Sequence, residues 1–152
     1  MKILEVLHKD AILVNLTSRD KKGVIEEMAE PVARIAGVDK PTLIQVLMER
    51  ESLGSTGIGM GIAIPHGKLK SVGSLVMGFG ISRKGVDFDT LDGRPAYLFF
   101  LLLTPENSTG LHLKALARIA RMLKNELFKE KLLRAQTSDD VITVIHSEDE
   151  EF

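Results

Sequence analysis

Two histidines and an arginine stand where a plain structural pattern asks for something else. His66 follows Pro65 and precedes Gly67, closing a run in which Gly57, Gly59 and Gly61 alternate with Ile58, Met60 and Ile62. Its ring has an ordinary pKa of about 6.5, so a neutral nucleophilic nitrogen is available at neutral pH. Pro65 cannot donate to a central ladder, so the strand is expected to stop there and leave His66 in the following loop. The glycines would strip one strand face of side chains and let another backbone or a partner surface approach closely. Against this stands the plainer reading of His66 as a turn histidine at a strand end.

His112 heads the apolar stripe Leu116, Ile119 and Leu123 of a helix that follows Thr109-Gly110. A helix N-terminus favours the neutral ring and attracts anions. Taken alone, His112 is equally well a core-edge residue satisfied by a backbone carbonyl. Arg50 lies seven, four and three residues after Leu43, Val46 and Leu47, at the edge of a buried stripe. Arginines there ordinarily extend to solvent. The functional reading is a fixed, permanently charged fork for phosphate oxygens.

Other chemistries find little support. His8 and His146 read as surface groups, and no two histidines have the spacing of a helical metal pair. The absence of cysteine removes disulfides, thiolate metal sites and cysteine nucleophiles. Gly61 to Lys68 is a poor P-loop, because five residues separate its glycines and Leu69 replaces the magnesium-binding hydroxyl. Ile62 occupies the third glycine's place in the dinucleotide pattern. Gly54-Ser55-Thr56-Gly57 lacks the residue before serine that a nucleophile elbow requires. No cofactor and no metal are therefore expected, and any phosphate must arrive from another protein.

The elements that must position these residues follow from periodicity. A short apolar segment spans 3–7, and a strand is expected over 11–16. Val24, Ile25, Met28, Val32 and Ile35 predict a helix over 21–36 that stops at Gly37, with Pro31 expected to kink or break it. A second helix should run from Asp39-Lys40-Pro41 to about Glu51. Period two over 57–64 and 74–81 predicts two strands, each with a bulky and a stripped face. Gly85 to Pro95 is rich in turn residues, and Ala96 to Leu103 reads as a central strand covered on both faces. Helices are expected over 110–124, 127–135 and 138–146. The acidic residues at the end read as a solvated C-terminal tail, 148–152, after a domain over 1–147. The expected fold is α/β, a single domain with a mixed β-sheet flanked by helices on both faces.

At 152 residues the chain suits one domain. Its net charge of −1 offers no basic excess for nucleic acid. No run is long enough to span a membrane, and no secretory leader pattern opens the chain, so a cytoplasmic location is expected.

The unbroken run Arg50-Glu51-Ser52-Leu53-Gly54-Ser55-Thr56-Gly57-Ile58-Gly59-Met60-Gly61-Ile62-Ala63-Ile64-Pro65-His66-Gly67 resembles the signature of the enzyme IIA domain of the bacterial phosphoenolpyruvate phosphotransferase system, fructose/mannitol class (type 2). The likeness extends to Thr104-Pro105 and His112 to Ala117. It implies a phosphoryl carrier, with His66 accepting phosphate from the phosphocarrier protein HPr. Arg50 matches the family's active-site arginine and His112 its second histidine. Gly85 to Pro95 is similar to the nitrogen-regulatory branch, whose members bind other proteins according to their phosphorylation state. A free-standing sugar-specific IIA that passes phosphate to a IIB protein remains open. So does a binding module whose His66 is not phosphorylated.

Overall fold

The computed structural model describes residues 1–152. The chain runs α1 (Ile3–Val6), β1 (Leu7–Leu13), α2 (Lys21–Ala36), α3 (Lys40–Ser52), β2 (Gly57–Gly59), β3 (Ile62–Ala63) and β4 (His66–Leu69). It continues with β5 (Val76–Val86), β6 (Ala96–Pro105), α4 (Thr109–Met122), α5 (Glu126–Arg134) and α6 (Ser138–Glu148). The six strands form one mixed sheet in the order β1-β5-β6-β3-β2. β5 and β6 are antiparallel, while β1 runs parallel to β5 and β3 parallel to β6. β4 also pairs parallel with β6, further along it, with His66 opposite Leu102 and Lys68 opposite Thr104.

β6 organises the molecule because both of its faces are apolar. Leu98, Phe100 and Leu102 face a core shared with α1, α4, α5 and α6, through residues such as Ile3, Ile119, Phe128 and Val141. Phe99, Leu101 and Leu103 face a second core shared with Val24, Met28, Leu43 and Leu47 of α2 and α3. A sheet with helices on both faces results, as the patterning requires.

Helix ends follow local chemistry. Asp20 accepts from the Gly23 N–H at 2.7 Å and Asp39 from the Thr42 N–H at 3.1 Å, each satisfying a donor with no partner in its own helix. Gly37 ends α2 in the left-handed region at φ 69°.

Three expectations are corrected. α2 continues through Pro31, whose flanking residues Met28, Ala29, Val32 and Ala33 are buried; this packing outweighs the missing hydrogen bond. The first strand begins at Leu7, because pairing with Met77 of β5 recruits Leu7 to Asp10, most of it exposed and without a periodic signal. The period-two run over 57–64 is a tight antiparallel hairpin, β2 to β3, turning at Met60-Gly61. Met60 adopts φ 57° and Gly61 φ 80°, the left-handed pair of a two-residue hairpin turn. Asp92 accepts from the Met60 N–H at 2.9 Å and the Lys129 ammonium donates to its carbonyl at 3.1 Å, clamping the tip from two distant elements.

The stripped faces are filled from within. A Cβ on Gly78 would meet Val32 at 2.8 Å and one on Gly80 would meet Leu16 at 2.8 Å. The acidic end of the chain keeps Glu148, Glu150 and Glu151 exposed, and it is also attached to the start of the chain. Asp149 accepts from the Ile3 and Leu4 N–H groups at 2.8 and 3.0 Å, and buried Arg118 donates to the Glu148 carbonyl.

Candidate active site

His66 opens β4 instead of lying in a loop. The parallel ladder asks only a carbonyl of Pro65, which accepts from the Leu102 N–H at 2.9 Å, so proline interrupts nothing and the chain rejoins β6 at once. The His66 ring then folds back on its own strand. Its Nδ1 lies 2.7 Å from the Ile64 carbonyl oxygen, which can only accept. Nδ1 therefore carries the proton, and Nε2 holds the free lone pair.

His112 sits in the first turns of α4, buried, its ring centroid 5.2 Å from that of His66 and edge-on to it. Its Nδ1 is 2.6 Å from the Thr104 hydroxyl, not from a backbone carbonyl. Arg50 lies in the last turn of α3 and donates from Nη1 to the Gly54 carbonyl at 2.8 Å, which fixes the guanidinium at the helix end. The structure thus gathers all three residues singled out in the sequence around one cleft of about 610 Å³. Lys68 also lines this cleft, its ammonium donating to the Thr109 hydroxyl at 3.1 Å. Sequence reasoning missed Lys68. Its only signal was its place two residues after His66, and that means little until β4 is known to be a strand.

The electrostatics favour neutral rings. Burial lowers the His66 pKa from 6.5, reinforced by Arg50 and Lys68 and opposed by the Ile64 carbonyl and Glu51. Burial, then His66 and Lys68, lower that of His112 to about 4. Two cations beside two uncharged imidazoles suit a doubly charged anion. Glu51, next to Arg50, is turned away and buried, pairing with Lys21 at 3.1 Å and accepting from the Thr56 N–H at 3.0 Å. It anchors the segment leading into β2, and its side chain does not line the cleft although its charge still acts on His66.

The glycine stripe serves a different purpose from the one expected. A Cβ on Gly57 would meet Thr90 at 2.6 Å, and one on Gly59 would meet Asp92 at 3.1 Å. The chain's own 87–95 loop covers this face, so it is not open to a partner. Gly67 is the close approach that matters here: its Cβ would lie 2.7 Å from Val46 of α3. Only glycine lets the helix carrying Arg50 rest on the strand carrying His66. The exposed rim of the cleft is mixed, with Leu53 83% and Leu113 60% accessible beside exposed Glu49 and Ser52. No three histidine or carboxylate side chains converge as metal ligands would. No helix is long and apolar enough to cross a membrane.

Residues 5–148 match the model of the family described as phosphoenolpyruvate-dependent sugar phosphotransferase system, EIIA 2. The chain belongs to this family. It is 38% identical over 145 residues to a nitrogen regulatory protein of Bradyrhizobium diazoefficiens, covering 95% of each chain. It is 40% identical over 150 residues to the fructose-specific EIIABC component of Bacillus subtilis; the match takes 98% of this chain but only 24% of that longer protein. Among solved structures, the nitrogen regulatory protein IIA-Ntr of Neisseria meningitidis superposes with a TM-score of 0.88 at 34% identity, covering 93% of this chain and 97% of that one. This EIIA 2 chain is therefore a phosphotransfer component in fold and family.

Proposed function

We propose that this EIIA 2 protein carries a phosphoryl group on Nε2 of His66, received from an HPr-type phosphocarrier protein. The observation that carries the reading is the 2.7 Å hydrogen bond from His66 Nδ1 to the Ile64 carbonyl, which leaves Nε2 unprotonated in a cleft lined by Arg50, Lys68 and His112. The His66 Nε2 lone pair attacks phosphorus in line. The donor's N–P bond breaks, its nitrogen keeps the electron pair, and a new N–P bond forms. Such transfer proceeds through a loose transition state with charge on the equatorial oxygens, so catalysis rests on positioning and electrostatics. Arg50 and Lys68 meet that charge. The rim around Leu53 and Leu113 is where a donor or acceptor protein would dock, and the covered glycine face takes no part.

Incubation with phosphoenolpyruvate, enzyme I and HPr, followed by mass spectrometry, tests this. The protein should gain one acid-labile phosphoryl group that is lost in His66→Ala. No gain would sink the carrier reading and leave an unphosphorylated binding module. For the purpose of the phosphate we favour regulation through phosphorylation-dependent binding to other proteins. The nitrogen regulatory relative matches nearly end to end, and the 85–95 loop is similar to that branch. The likeness to the Bacillus subtilis fructose protein supports a second reading, transfer to a IIB protein in sugar uptake. Mixing the phosphorylated chain with candidate IIB domains separates them: a regulatory protein transfers to none.

A further inference from the structure

The Thr104 hydroxyl is fully buried and makes one hydrogen bond, to His112 Nδ1 at 2.6 Å. Alternation along β6 puts it there: Leu103 faces α2 and α3, so Thr104, like Leu102, faces α4. A buried hydroxyl proton needs an acceptor, and Nδ1 is the only one within reach. If Nδ1 instead carried the proton, two hydrogens would compete for one contact and the hydroxyl proton would have no partner. The hydroxyl therefore donates, Nδ1 accepts, and the proton of the neutral His112 ring sits on Nε2.

We propose that Thr104 is a positioning residue for phosphoryl transfer: it holds His112 as the Nε2–H tautomer, a neutral donor toward phosphoryl oxygens on His66. The two rings then carry opposite tautomers. The Ile64 carbonyl keeps Nδ1 of His66 protonated and Nε2 free to attack, while Thr104 keeps Nε2 of His112 protonated and free to donate. One carbonyl and one hydroxyl divide two identical side chains into a nucleophile and a donor. This rests on the carrier reading above, but its first test does not.

Long-range proton–nitrogen NMR on histidine-labelled protein reports each ring's tautomer without any phosphorylation. The Nε2–H form of His112 is expected in the unsubstituted chain, becoming a mixture in Thr104→Val and returning in Thr104→Ser. A Nδ1–H form in the unsubstituted chain, or an unchanged tautomer in Thr104→Val, overturns the proposal. With HPr as donor, Thr104→Val should lower kcat about tenfold with KM for HPr unchanged, and Thr104→Ser should recover most of it. A Thr104→Val rate equal to that of the unsubstituted chain overturns it too. Failure of His66 to accept phosphate in any variant would strike at the carrier reading and leave the tautomer result standing. Should Thr104→Val fail to fold, the measurement on the unsubstituted chain and on Thr104→Ser still decides.

Discussion

His66 is half-buried and His112 buried, and Lys68 helps to lower the pKa of both rings while Arg50 acts on His66 alone. For His112, lowered to about 4 from 6.5, the sign of the linkage is definite. Between those two values the unfolded chain binds the proton and the folded chain does not, so stability falls as pH drops from 6.5 toward 4. His112 alone sets a slope of up to about 1.4 kcal/mol per pH unit in that window. Urea titrations of His112→Asn should lose much of the acid sensitivity there and match the unsubstituted chain's pH trend above 6.5. His66 is also lowered, so its nucleophilic form persists below the usual imidazole range. The phosphorylation rate should stay flat from pH 8 to 6.5, provided the donor is held phosphorylated, and decline only below. Arg50→Ala should slow phosphorylation by ~10²–10³-fold, the usual loss for a donor aimed at transition-state charge. Its stability should change by no more than about 1 kcal/mol, since the side chain makes one bond to the Gly54 carbonyl. These residues were legible in the sequence because each broke a local pattern. Thr104 and Lys68 broke none, and their roles exist only through the register that sets Lys68 opposite Thr104.

Elements whose ends are chemically marked could be read directly. Gly37 ends α2 and Asp39 opens α3 where the sequence placed them. The β2–β3 hairpin could not, since Met60-Gly61 hides inside an alternation that continues across the turn. A non-glycine residue at φ 57° is an improbable turn position, held here by Asp92 and Lys129, far away in sequence. The same long-range logic misled the reading of the glycine stripe: its cover, Thr90 and Asp92, lies over 30 residues downstream. At the contact between α3 and β4 a definite outcome follows. Gly67→Ala puts a methyl group 2.7 Å from Val46, so α3 must move or Val46 must turn. We expect a loss of about 1–3 kcal/mol in chemical denaturation. Phosphorylation should slow as well, because Arg50 would retreat from His66. Unchanged kinetics in a destabilised Gly67→Ala would separate packing from catalysis.

At the scale of the molecule, two cores meet on β6, and the unbroken apolar run over 96–103 announced both faces. The sequence offered less on how its acidic end is used. Four acids in six positions suggest solvent, yet Asp149 accepts from two N–H groups at the start of α1, and the Phe152 N–H donates to the Met1 carbonyl at 2.8 Å. Charge density carries no information about which backbone donors lie nearby. Asp149→Ala should cost about 1 kcal/mol, the usual price of a lost helix-start acceptor. In a chain of this size that corresponds to a midpoint lowered by about 2–4 °C in a thermal melt. A midpoint unmoved by the substitution would mean that water replaces the carboxylate.

β6 has one further consequence. His66 is paired to it through Leu102, and His112 is bonded to it through Thr104, so both rings hang from the most deeply enclosed strand of the sheet. Amide protons on such a strand exchange with solvent only when the whole fold opens. Phosphate on His66 should leave their exchange protection almost unaltered and change it only along the rim, around Leu53 and Leu113. A partner would then distinguish the two forms of this protein by charge: nearly two negative units set between Leu53 and Leu113, on a scaffold that has not moved.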